Sequence, residues 1–131
     1  MKYKDLHYER TDIDKAKSFM NDVTIKFKNA RNSKEQIELI GEVDNFSRDY
    51  ITYRAIANLN YSRNILDVNF KSEKDFYDSI SIVIKEVYYN FNNVIHESKF
   101  KDDISKMYGD KFLEEIKIDL KTFDPKIKSL L

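Results

Sequence analysis

Cysteine is absent from the sequence, and glycine and proline are scarce, with two and one among 131 residues. Without cysteine, the chain has neither a disulfide framework nor a thiolate that could bind a metal or act as a nucleophile. So few glycines and prolines do not suit the many tight turns of an all-β fold. Charged residues make up 35% of the chain and alternate with apolar ones at helical spacing. The sequence therefore predicts an all-α protein.

The chain also lacks an excess of charge of either sign. Lys plus Arg and Asp plus Glu number 23 each, which argues against a nucleic-acid partner, because such proteins need surplus cations to neutralise phosphates. No apolar run approaches the roughly 20 residues that cross a bilayer, and the first residues lack a signal-peptide pattern. We expect no membrane partner, a cytoplasmic location and a single domain over residues 1–131.

Apolar residues that recur every three or four positions predict a series of helices. The predicted ranges are Asp12 to Arg31, Ser33 to Val68, Ser72 to Ser98, Lys101 to Tyr108 and Asp110 to Phe123, with a last helix beginning at Asp124-Pro125 and reaching Leu131. The second and third are the longest and are joined by a short turn. They predict an extended antiparallel hairpin packed with shorter helices, which is a helical bundle.

Local signals set the predicted helix ends. Ser33, with Gln36 three residues later, fits a capping box at the start of the second helix, and Ser72 is the predicted cap of the third. Gly109 suits the left-handed residue that ends the fourth helix, and Asp110 would cap the next. The main apolar stripe of the second helix is predicted to continue through Ile65 and Val68.

The sequence offers no catalytic or metal-binding set. A zinc peptidase helix needs His-Glu-x-x-His, because four-residue spacing turns both imidazoles toward the metal while the glutamate activates water. The chain has only His96-Glu97, and Phe100 stands where the second histidine would be. We therefore predict no catalytic, cofactor-binding or metal-ligating residue in this chain, and no peptidase activity from it alone.

Five apolar residues lie away from the predicted main stripes: Ile56, Leu59 and Leu66 on the second helix, and Ile82 and Tyr89 on the third. A helix that is apolar on two sides is usually buried between two layers. The short helices of this domain would cover these residues in one explanation. In the other, they form the interface for a partner, and the isolated chain self-associates through them.

Three segments carry a resemblance to a known family. They are residues 59–78 (LNYSRNILDVNFKSEKDFYD), residues 1–10 (MKYKDLHYER) and residues 120–126 (LKTFDPK). Together they resemble the N-terminal helical region of an oligoendopeptidase F-type zinc metallopeptidase, in the thimet oligopeptidase-like family. The resemblance implies an N-terminal accessory region of a longer α-helical peptidase that forms one wall of a channel and restricts access to short peptides.

The same resemblance implies that the catalytic zinc domain is absent from this chain. Zinc would belong to the full-length family, and the catalytic remainder of the peptidase would be the partner, with oligopeptides as substrates only of the whole enzyme. The chain would then be a piece of a longer polypeptide, whether a truncated gene, a split protein or a fragment. The alternative function is an independent helical protein-interaction module that binds a partner helix.

Overall fold

The computed structural model of the chain describes residues 7–123. Within that range it contains five helices and no strand. They are α1 (Ile13–Lys28), α2 (Ser33–Arg63), α3 (Val68–His96), α4 (Lys101–Tyr108) and α5 (Asp110–Thr122). The all-α prediction is confirmed. The helix predicted to begin at Asp124-Pro125 lies outside the described residues, and none of the described helices is both long and apolar enough to cross a membrane.

α2 and α3 form the predicted antiparallel hairpin and are the two longest elements, with 31 and 29 residues. At 1.5 Å per residue, each is roughly 45 Å long. α2 continues unbroken through Gly41, where an added Cβ would meet no atom within 4 Å. The hairpin prediction is therefore confirmed, and Gly41 does not divide α2 into two helices.

The turn between the two long helices lies earlier in the chain than predicted. α2 ends at Arg63, and α3 begins at Val68, so the turn comprises residues 64–67 and not residues 69–71. The Asp67 side chain accepts a hydrogen bond from the Phe70 amide at 3.0 Å and caps α3. Ser72, the predicted cap, lies inside the helix. The apolar spacing did not indicate this boundary, because Ile65 and Val68 continue the three- and four-residue spacing of the α2 stripe.

Asn32, and not Ser33, caps α2. Its side-chain oxygen accepts from the Glu35 amide at 2.9 Å, and the Glu35 carboxylate in turn accepts from the Arg31 amide at 2.9 Å. This pair resembles a capping box shifted by one residue from the predicted one. Gln36, the predicted partner in the box, is instead buried and contributes to the core.

The core lies along α3, between this helix and α1, α2 and α5. One group of buried residues joins the ends of α1 and α3 with the first half of α2 and the two short helices: Met20, Val23, Phe27, Ile40, Val43, Val87, Phe91, Ile95, Ile104 and Ile116. A second group lies nearer the hairpin turn: Ala16, Tyr50, Ala57, Tyr77, Ile80 and Ile84. Aromatic rings interlock the helices, as where Phe27 meets Phe91 edge-on at 5.5 Å.

A buried polar node links the helix ends that lie farthest from the turn. Gln36 donates to the Phe27 carbonyl at 3.2 Å and accepts from the Ser98 hydroxyl at 2.6 Å. The Ser98 oxygen then accepts from the Phe100 amide at 3.0 Å. Because a buried polar group without a partner is costly, these bonds fix the end of α1, the start of α2 and the link to α4 in one arrangement.

Gly109 separates the two short helices, with φ of 92° and ψ of 158°. This backbone region is close to exclusive to glycine, so the prediction of a glycine stop after Tyr108 is confirmed. α5 begins at the next residue. Asp110 is therefore the first residue of α5 and not its cap, and its carboxylate accepts from the Ser105 hydroxyl.

The two candidate caps of α3 give a direct test of where that helix begins. We expect Asp67→Ala to lower the free energy of unfolding by about 1 kcal/mol, because the Phe70 amide loses its acceptor. The matched variant Ser72→Ala should change it by less than about 0.5 kcal/mol, because Ser72 is exposed within the helix. Urea unfolding followed by circular dichroism measures both, and a larger loss in Ser72→Ala would contradict this boundary.

Candidate functional site

The five residues predicted to form a partner interface lie in different environments. Leu66 is 88% exposed in the turn of the hairpin, and Ile82 is 43% exposed on α3. Leu59 and Tyr89 are half-buried, and Tyr89 packs edge-on against Phe123 with ring centres 6.2 Å apart. Leu66 lies in the turn and Ile82 lies 14 positions beyond the first residue of α3, about 21 Å along that helix, so these two side chains are well separated.

The expectation that Ile56 is exposed in the isolated chain is wrong, because this side chain is only 6% exposed. Ile56 lies one helical turn beyond Tyr53, whose ring meets both His7 and Tyr8 edge-on at 6.1 Å. Ile56 is therefore buried within this domain and is not part of an exposed interface in the isolated chain. The role of the other four residues as an interface stays a prediction.

The first candidate surface is the turn of the hairpin, which we call the tip and define as Ile65, Leu66 and Val68. These side chains are 62%, 88% and 80% exposed. The tip does not need them for its own folding, since its backbone is satisfied locally: the Asp67 amide donates to the Asn64 carbonyl at 3.2 Å. Three exposed aliphatic side chains within four residues form a small apolar surface, and such patches occur at interaction sites.

The second candidate surface is an open cavity of about 380 Å³ between α3 and the end of α5. Ile84, Tyr88, Tyr89 and Phe123 provide its apolar walls, and the rest of its lining is polar: Lys85, Asn92, Asp119 and Thr122. Apolar walls with a few polar groups are typical of binding sites. Tyr89 was predicted from the sequence as an interface residue, whereas Phe123 was predicted only as the last residue of the helix that follows Gly109.

A third feature is the extended segment of residues 7–12, which we call the strap. It crosses α2 at Tyr53 and is fastened to α3. Arg10 forms two hydrogen bonds of 3.1 Å from its Nε to the Glu73 carboxylate, with a further contact from its Nη2. The Tyr8 hydroxyl donates to the same carboxylate at 2.5 Å, and the Tyr77 hydroxyl accepts from the Thr11 amide at 3.0 Å.

The strap contacts shift the ionisation of their members. The Arg10 guanidinium holds the pKa of Glu73 below its ordinary value, with partial burial acting against this and the Tyr8 hydroxyl adding to it. Burial and the hydrogen bond to Glu73 raise the pKa of Tyr8. No sequence pattern indicated this network, since its partners are 63 to 66 positions apart. Its groups pair with one another, which is typical of a structural clamp.

The described residues do not form a metal centre. Residues 7–123 contain no group of three or more His, Cys, Asp or Glu side chains that could hold a metal ion. His96 is the last residue of α3, Glu97 follows it, and Phe100 lies before α4, so the His-Glu pair stands at a helix end without a second imidazole. The donor set that zinc peptidase chemistry requires is not available from these residues.

Comparison with known proteins identifies the family. The model of the Peptidase M3 N-terminal domain matches residues 3–123. The chain belongs to this family. The match covers most of the sequence and confirms the resemblance to the oligoendopeptidase F-type peptidases. No curated protein matches the chain.

Solved structures of longer chains contain the same fold. PZ peptidase A, determined with an inhibitor, is 25% identical and superposes with a TM-score of 0.91 over 96% of this chain. A second structure, of a chain described as oligoendopeptidase F from Bacillus anthracis str. Ames, is 27% identical. It superposes with a TM-score of 0.89 over 95% of this chain. The chain spans only 22% and 23% of the length of these two proteins. The M3 N-terminal domain is thus a small part of each.

The strap predicts a pH dependence of stability. Because the pKa of Glu73 is lower in the folded than in the unfolded chain, its stabilisation is complete above its ordinary value of 4.5 and is lost as the pH falls through the lower folded value. We expect Glu73→Gln to reduce the free energy of unfolding by about 1 kcal/mol at neutral pH. The difference in free energy of unfolding between this variant and the wild type should disappear in acid, where Glu73 is protonated. Urea unfolding measured from neutral to acidic pH tests this.

Glu42→Gln is the matched control, because Glu42 is exposed on α2. It should leave the pH dependence of unfolding unchanged. If Glu73→Gln and the wild type stay equally far apart at every pH, the Arg10 contact is not the source of the stabilisation.

The lack of a metal-binding cluster among residues 7–123 gives a second prediction for this domain. After dialysis, the chain should retain no stoichiometric zinc and should cleave no peptide, because His96 has no second imidazole within its helix turn. His96→Ala should leave the zinc content unchanged. Stoichiometric zinc that is retained by the wild type and lost in His96→Ala would contradict this prediction and would require ligands from elsewhere in the chain.

Proposed function

We propose that this M3 N-terminal domain is the non-catalytic helical wall of the substrate channel in an oligoendopeptidase-type zinc metallopeptidase. The observation that carries the proposal is the match of 96% of this chain, at a TM-score of 0.91, to only 22% of PZ peptidase A. A domain that accounts for about a fifth of a peptidase and offers no metal-binding cluster among its described residues suits an accessory role.

A wall of this kind acts by excluded volume, so it needs rigidity more than reactive side chains. Two features of the domain support such rigidity. The hairpin is held at one end by the buried Gln36–Ser98 node and along its side by the Arg10–Glu73 clamp. A rigid wall would admit only short, unfolded peptides, because a folded substrate is too wide to enter a channel that cannot widen.

In this proposal the catalytic remainder of the peptidase is the partner and supplies the zinc, and the assembly acts in the cytoplasm. The residues described here do not fit zinc, so no step of peptide cleavage is assigned to them. The exposed residues Leu66 and Ile82 and the half-buried Leu59 and Tyr89 are the candidates for contact with that remainder. The contribution of the chain is the shape of the channel.

Reading the coding sequence past Leu131 tests the proposal. We expect the frame to continue through further helices into His-Glu-x-x-His, with the glutamate ligand downstream. A natural stop codon at that point would contradict the proposal and favour the independent interaction module instead.

The continued frame also allows an activity test. The full-length enzyme should cleave a graded series of peptides at rates that fall sharply beyond a limiting length. Gln36→Leu removes the polar node without adding a charge, and it should relax that limit while leaving cleavage of the shortest peptides unchanged. An unchanged length limit in a loosened, still folded variant would argue against gating by this wall.

A further inference from the structure

We infer that a basic cleft between α3 and α5 binds the carboxyl-terminal end of a short peptide. The cleft has a volume of about 460 Å³, which is in the range of small-ligand sites. Its lining residues are Asn93, His96, Lys117, Leu120 and Lys121. The inference rests on the proposed function, which makes peptides the molecules that this domain meets. It adds a binding contact to a role that otherwise depends on shape.

The spacing along two helices brings these side chains together. Asn93 and His96 are three positions apart at the end of α3. On α5, Lys117 is three positions before Leu120 and four before Lys121. Side chains at such spacing lie on one face of a helix, and α3 packs against α5. All five lining residues belong to these two helices, so the cleft is held by regular, packed backbone.

The charged groups of the cleft have one sign. Both lysines are cationic, as is His96 when it is protonated, and no carboxylate among residues 7–123 lines the cleft. None of the ion pairs in that range involves these three side chains. Two like charges four positions apart destabilise a helix. A ligand carboxylate between Lys117 and Lys121 would replace this repulsion with attraction.

The helix dipole does not account for both lysines. Lys121 lies in the last turn of α5, where the carbonyl end of the helix favours a cation. Lys117 lies one turn earlier, and the effect of the dipole is confined to the last turn. The position of Lys117 beside a second lysine is therefore better explained by an anionic ligand that contacts both.

The uncharged part of the lining favours a peptide end over a free anion. The Asn93 side chain offers a donor and an acceptor, and neither is bonded to another residue in the range 7–123. This pair suits the backbone amide that precedes a peptide carboxylate. Leu120 is half-buried and provides an apolar wall for the last side chain of the peptide. A free phosphate would use the lysines alone.

A pair of matched ligands tests the inference on the chain by itself. N-acetyl-glycyl-glycyl-leucine carries one carboxylate, and its C-terminal amide has the same shape without the charge. In two-dimensional NMR spectra, the free acid should cause saturable shifts of the backbone amides of His96, Lys117 and Lys121. We expect a dissociation constant on the order of 1 mM, and binding of the amide at least about tenfold weaker. Added salt should weaken binding of the acid, because exposed charges are screened.

Removal of the two lysine charges should abolish the preference for the acid. Lys117 and Lys121 are exposed, so the double variant Lys117→Gln, Lys121→Gln should keep the fold, which circular dichroism verifies. It should bind the acid no better than it binds the amide. Lys111→Gln is the matched control, because Lys111 is exposed on α5 but does not line the cleft. The control should bind the acid like the wild type.

Three outcomes would overturn the inference. Equal binding of the acid and the amide would show that the carboxylate is not recognised. Equal affinity for N-acetyl-glycyl-glutamyl-leucine amide, whose only carboxylate is on a side chain, would assign the cleft to an acidic protein segment. The absence of a saturable shift up to about 10 mM acid would make the lysines solvated surface groups. Each result concerns the chain alone and leaves the proposed function to its own test in the frame past Leu131.

Discussion

The domain depends on one side of α3 being apolar along most of its length. Six buried side chains recur there at three- and four-residue steps: Tyr77, Ile80, Ile84, Val87, Phe91 and Ile95. α1, α2 and α5 all pack against this helix, so three helices bury their apolar faces on a common partner. Burial of apolar surface is the dominant favourable term in folding. A charged side chain in the middle of this stripe would therefore weaken three interfaces at once.

Hydrophobic packing has no direction, and so it does not by itself fix how far two helices slide past each other. Directional contacts do so here. The Gln36–Ser98 bond holds the far end of the hairpin, and the bonds of Glu73 and Tyr77 hold the strap across its other half. The proposed role as a channel wall would need this fixed arrangement more than additional stability.

Much of the fold could be predicted from the sequence, because helical periodicity reports directly on which side of a helix is apolar. It could not distinguish an apolar residue in the core from one in an exposed turn, so Ile65 and Val68 were assigned to the packed stripe. The caps at Asn64 and Asp67 were the signal for that turn. Ile56 illustrates the converse limit: it lies outside the main apolar stripe predicted for α2, yet its side chain is only 6% exposed. The cavity beside Tyr89 likewise arises from the separation of two helices.

The strap has a consequence for the order in which the chain folds. Its anchors on α3 are 63 to 66 positions away, whereas α2 and α3 are joined by a four-residue turn. Each doubling of a closed loop costs roughly 0.6 kcal/mol of chain entropy, and about four doublings separate these two closures. We therefore expect the hairpin to form first and the strap to dock last. The same entropy favours the strap as the first segment to detach, which makes residues 7–12 a unit of local unfolding while the helices remain intact.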